Sequence, residues 1–144
     1  MIYLASDKPL RTIDWNEAKP GFHISTPSPE ELRVMRHFKK ANVVYVGSHE
    51  GCGCGFQLGE YSADNYDPGE LEQRRRSLHQ FAEYLRTELP RVGSIEAFAC
   101  WDGDQQAPPE HSRTLTPSSL EKEDFFFLEK ELSTVAVDDG ESTN

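Results

Sequence analysis

The chain has 144 residues, 25 acidic against 15 basic side chains, and a formal net charge of −10. That length suits one ordinary domain with enough interior for an unstapled core. The longest apolar run, residues 97–101, falls far short of the ~18 residues a membrane span needs, and the acidic balance disfavours nucleic acid and acidic membrane surfaces.

In chain order, residues 2–5 and 10–15 read as short strands, joined as a hairpin at Asp7-Lys8-Pro9, and residues 22–25 as a third. Ser28-Pro29-Glu30-Glu31 is a helix start: a hydroxyl cap, proline at the first helical position, and a glutamate three residues after the cap. The helix it predicts runs to Lys40 with Leu32, Met35 and Phe38 on one face. Val43-Val44-Tyr45-Val46 is apolar on both faces, as a central strand buried on two sides would be.

Asp67-Pro68-Gly69-Glu70 starts a second main helix whose stripe is Leu71, Leu78, Phe81, Leu85 and Leu89, with Pro90 as its stop. The basic run Arg74-Arg75-Arg76 on this helix reads as a solvated face, because Glu70 and Glu72 stand four residues before Arg74 and Arg76. Residues 94–101 form the next strand, with Ile95, Ala97, Ala99 and Trp101 on one side and Phe98 and Cys100 on the other. Residues 102–115 read as a long loop. Thr116-Pro117 opens a short helix near 118–123, and residues 125–128 a last strand, with helix as the alternative through 137. Residues 138–144 are small, polar and acidic, and read as a flexible tail behind a single domain of residues 1–137. The expected fold is therefore α/β, with a mixed, mostly parallel central sheet, two main helices and one short one.

The chemistry concentrates in Gly47-Ser48-His49-Glu50-Gly51-Cys52-Gly53-Cys54-Gly55-Phe56. Its glycines permit tight turning, and it carries two thiols and an imidazole directly after the strand read as central. The order strand, helix, strand from Val43 to Trp101 makes those two strands parallel if they share a sheet. Both would then end at one edge, where open α/β sheets bind ligands, and His49, Cys52, Cys54 and Cys100 would meet there.

Four readings of that meeting place stay open. The thiols can be small core residues around a tight turn. They can hold a transition metal, Zn²⁺ or Cu⁺, through His49, Cys52 and Cys54, with Cys100 or Asp102 as a fourth donor. Cys52 or Cys54 can be a nucleophile activated by His49, itself oriented by Glu50 or Asp102, or the two thiols can close a strained disulfide. The glycine backbone can bind an anion, although neither phosphate-loop nor dinucleotide spacing is present.

The Gly-Ser-His-x-Gly-Cys-Gly-Cys-Gly-Phe stretch resembles one shared by small bacterial proteins of uncharacterised function, and the resemblance implies a bacterial single-domain protein. Three cysteines, two of them separated by a single residue, and no basic leader at the start suit a reducing cytoplasm. The expected function is a Cys/His-lined site at the sheet edge that binds a transition metal or a thiol-reactive ligand. The alternative is a non-enzymatic interaction module with structural cysteines, whose acidic surface meets a basic protein partner; a Cys/His enzyme ranks behind both.

Overall fold

The computed structural model describes residues 1–58 and 68–138. Its centre is one six-stranded sheet: β1 (Ile2–Ser6), β2 (His23–Ser25), β3 (Asn42–Gly47), β4 (Ile95–Ala99), β5 (His111–Leu115) and β6 (Glu131–Val135), in the order β2-β3-β1-β4-β6-β5. Among the described residues a single long helix, α1 (Pro68–Val92), lies between β3 and β4 in the chain. Three 3-10 segments, Glu31–His37, Gly53–Phe56 and Pro117–Glu121, complete the elements of the described residues.

The expectation of a mostly parallel sheet is corrected. β1 pairs antiparallel with both β3 and β4, β2 with β3, and β6 with β4; the β5–β6 pair alone is parallel. The helical crossover from β3 to β4 does make those two strands point the same way, but β1 is inserted between them. The hairpin at Asp7-Lys8-Pro9 does not form, because both edges of β1 are already filled; residues 10–15 contribute one bridge, Ile13 to Ile24.

Strand alternation sorts the core into two layers. Ile2, Leu4, Val44, Val46, Ile95, Ala97 and Ala99 pack with Leu78, Phe81, Leu85 and Leu89 of α1. Tyr3, Tyr45, Phe98 and Cys100 face the other way and are covered by Val34. The α1 stripe thus packs as its period requires, though the helix runs through Pro90 to Val92. Burial of Leu89 and Val92 favours that extra turn over the early stop, and Gly93, at φ +91°, closes it with an N–H bond to the Leu89 carbonyl.

The first of the two expected main helices, running from Ser28 to Lys40, does not form as an α-helix. Its capping box forms, with the Ser28 N–H donating to Glu31 Oε1 (2.9 Å) and the Glu31 N–H to Ser28 Oγ (3.3 Å), yet the segment is 3-10. In a 3-10 helix positions three apart align, and the contacts have that spacing. Tyr3 OH donates to Glu31 Oε2 (2.6 Å), Val34 is fully buried, and His37 lies 4.4 Å from the Phe98 ring centre. Leu32 and Met35, expected inside, are exposed. The short helix near 118–123 is likewise a 3-10 segment, and residues 125–128 form no strand.

β5, expected as loop, has the sequence His-Ser-Arg-Thr-Leu and is exposed except at Leu115, so an edge strand leaves no apolar pattern to read. β6 buries Glu131 and Ser133 on its inner side, with Glu131 Oε2 3.0 Å from Arg113 Nε. Asp138 is buried and bound: it accepts from the Ser118 N–H (2.7 Å) and pairs with Arg86 (2.9 Å). The remaining tail residues 139–144, and the helix cap Asp67, lie outside the described residues.

Candidate functional site

β3 delivers the glycine-rich segment to one end of the sheet, and Ser48, fully buried, folds it into a turn. The Ser48 hydroxyl and N–H both donate to the Cys52 carbonyl (2.6 and 3.0 Å), while the Gly51 N–H donates to the Ser48 carbonyl (2.9 Å). Gly51 has φ +86°, a conformation that favours glycine, and the Tyr45 hydroxyl anchors its carbonyl at 2.9 Å. A side chain at Gly55 would collide with Ser48 Oγ and the His49 ring, so the chain can double back there only as glycine. The turn leaves Cys52 half-buried and Cys54 exposed, both as free thiols, with the Cys54 N–H 3.4 Å from Cys52 Sγ.

His49 reaches α1 instead of the sulfurs. Its N–H donates to Ser77 Oγ (3.2 Å) and its ring Nδ1 lies 2.8 Å from the same oxygen. Nε2 then faces two carboxylates, Glu50 at 3.9 Å and Glu70 at 3.8 Å, and is buried with no hydrogen-bond partner among the described residues. Arg74 closes this group from the helix. It pairs with Glu70 (2.9 Å), stands 3.8 Å from Glu50, and donates to the carbonyls of Cys54 and Gln57.

Two donor groups result, each with its atoms within 4.8 Å of one another: Glu50, Cys52 and Cys54, and His49, Glu50 and Glu70. Glu50 belongs to both. These groups are of a kind that holds metal ions, with soft sulfur donors in the first and nitrogen and oxygen donors in the second.

The expected four-residue set is therefore divided. His49 and the two thiols lie on either side of Glu50, and Cys100 joins neither group among the described residues. Cys100 does emerge at the same end of the sheet, because β3 and β4 run the same way, and Cys54 and Cys100 line one cavity of about 260 Å³. Asp102 lies elsewhere, accepting from Gln105 Nε2 (3.2 Å) beside Glu30 and Arg33.

Burial pushes the Cys52 thiol up to about 11, with its hydrogen bond to Cys54 adding to the shift, and burial pushes Cys100 up to about 12. Both are neutral thiols near pH 7, and the imidazole is turned away from them. A nucleophile activated by His49 does not fit this arrangement.

Glu70, Arg74 and Ser77 were not legible as site residues. The Glu70–Arg74 pair forms at its expected spacing, but Arg74 is only 6% exposed, whereas Arg75 and Arg76 face solvent. The stripe itself held the signal, since Arg74 stands three residues after Leu71 and four before Leu78, on the inward face.

The fold and its site define a mixed α/β protein with a donor-rich turn at one sheet end. No protein-family model matches the chain, and neither a curated protein nor a solved structure matches it. Among the described residues no helix is long and apolar enough to cross a membrane.

Proposed function

We propose that this chain binds a transition metal ion, with Zn²⁺ the best fit and Cu⁺ next, at the turn 48–54 through Cys52, Cys54 and Glu50. The observation that carries the reading is the gathering of two sulfurs and a carboxylate oxygen within 4.8 Å on one five-residue stretch whose backbone is already tied down. Coordination deprotonates a thiol outright, so raised thiol pKa values are no obstacle; metal uptake releases protons and strengthens with pH. Three protein donors leave a tetrahedral ion one exchangeable position. A reducing cytoplasm, where the thiols stay unpaired, suits this role.

The test is metal content after reconstitution with Zn²⁺ and desalting. About one thiol-dependent ion per chain is expected, lost in Cys52→Ser/Cys54→Ser and retained in Cys100→Ala. Zinc that survives the double substitution, or no zinc in the unsubstituted chain, overturns the reading.

The buried His49 Nε2, without a hydrogen-bond partner among the described residues, favours a second reading: an ion held by His49, Glu50 and Glu70, with Ser77 orienting the ring as an outer hydrogen-bond partner. That site predicts the reverse pattern, with metal lost in His49→Ala and kept in the double cysteine variant.

A further inference from the structure

In the donor turn the anchors hold the backbone and leave the sulfurs to each other. Ser48 binds the Cys52 carbonyl through its hydroxyl and N–H, and the Arg74 guanidinium binds the Cys54 carbonyl. Cys52 Sγ accepts the Cys54 N–H at 3.4 Å, and the two sulfurs stand within 4.8 Å of each other as free thiols. Rotation of two side chains on a held backbone is the motion that takes sulfurs at this range to a bond of ~2.05 Å.

Exposure gives the pair an order. Cys54 is open to solvent and Cys52 is half-buried, so a dissolved oxidant meets Cys54 first and finds Cys52 within reach as the second sulfur. The third cysteine is withdrawn. Cys100 is 3% exposed, packs in the layer with Tyr3 and Phe98, and joins no donor group among the described residues. It shares a cavity wall with Cys54 and is therefore the competitor for any bond Cys54 makes.

We infer that Cys52 and Cys54 are a redox switch that empties the metal site: a hydroperoxide oxidises Cys54, and Cys52 closes a disulfide with it. This rests on the proposed Glu50–Cys52–Cys54 site and adds how that site is regulated. Sulfurs that coordinate a metal are thiolates, the form that attacks peroxide. With hydrogen peroxide, the Cys54 sulfur bonds to one oxygen as the O–O bond breaks, leaving a sulfenic acid and a hydroxide. The Cys52 sulfur then attacks the Cys54 sulfur, the S–O bond breaks, and a second hydroxide leaves. Protons from solvent convert both hydroxides to water. The two thiolates together lose two electrons, and the peroxide gains them. Glu50 is then the remaining donor of its group, too few to hold the ion. The new bond lies at the surface, where disulfides are readily reduced, so the change is reversible.

The test uses the full chain, loaded with Zn²⁺, treated with about an equimolar amount of hydrogen peroxide and desalted. About one zinc ion per chain should be lost, and the three thiols that alkylate in the denatured chain should fall to about one. Peptide mass mapping should place the bond between Cys52 and Cys54. Cys100→Ala should lose its zinc to the same extent, and glutathione should reopen the bond and restore zinc uptake.

A bond from Cys54 to Cys100, sulfinic acid at Cys54 in place of a bond, or zinc retained after treatment overturns the switch and leaves the metal site standing. Absence of thiol-dependent zinc in the reduced chain, before any peroxide is added, overturns both.

Discussion

The turn 48–54 and the segment 100–106 leave the same end of the sheet, and each carries cysteine, yet their thiols have different fates. In the first, a buried serine gathers the backbone inward, so the side chains of Cys52 and Cys54 are left near the surface. In the second, Cys100 continues the β4 pairing, with its N–H donating to the Met1 carbonyl (3.0 Å). Its side chain falls in the layer with Tyr3 and Phe98, and the next residue, Trp101, is turned out. A thiol one residue past a strand inherits the strand's alternation, whereas a thiol in a turn is placed by whatever pins the turn. The donor group therefore depends on a few polar anchors, and Cys100 depends on packing.

Substitutions can break this comparison in order of their expected effect. Arg74→Ala should be the most damaging, lowering unfolding free energy by about 3–5 kcal/mol, because it removes a buried guanidinium that pairs with Glu70 and donates to the carbonyls of Cys54 and Gln57. Chemical denaturation measures it. A loss no greater than that of an average surface substitution would mean the turn needs no support from α1.

Gly55→Ala comes next, at about 1–3 kcal/mol by thermal unfolding, since the added methyl must displace Ser48 or His49. Its zinc affinity should fall as well, because the same contact shapes the donor turn.

The pH dependence separates the thiols more finely. Cys52 and Cys100 have raised folded-state values, so an unfolded chain loses these protons first as pH rises. Their contribution is complete below the ordinary thiol range and is lost as pH climbs from about 9 toward 11 and 12. Metal-free protein titrated by denaturant at stepped pH should show this decline, and Cys100→Ala should flatten its upper part. The smallest effect belongs to Trp101→Ala, within about 0.5 kcal/mol of the parent protein, because an exposed indole has little packing to lose.

Much of the architecture follows from local pattern. The 3.6-residue stripe of α1, the capping box at Ser28 and the apolar runs of β1, β3 and β4 are each local signals, and each marks a real element or terminus. What local pattern cannot hold is partner choice. Nothing in residues 2–6 states that they will slip between β3 and β4, and that one insertion converts the expected parallel neighbours into a mostly antiparallel sheet. β5 was missed for a related reason, since an edge strand needs only backbone pairing and no apolar face.

The site divides in the same way. Its segment was legible because glycine, cysteine and histidine crowd together in few other sequence environments, and Cys52 and Cys54 sit two residues apart in any fold. By itself the amino-acid order determined that two thiols and a carboxylate share one short turn. Only the tertiary structure decided that Glu70, Arg74 and Ser77 meet that turn from 20 or more residues away, that His49 faces carboxylates instead of sulfur, and that Cys100 becomes a cavity wall. Donors close in sequence are brought together by backbone geometry, while donors far apart depend on how strands and helix pack, and a linear pattern does not encode that packing.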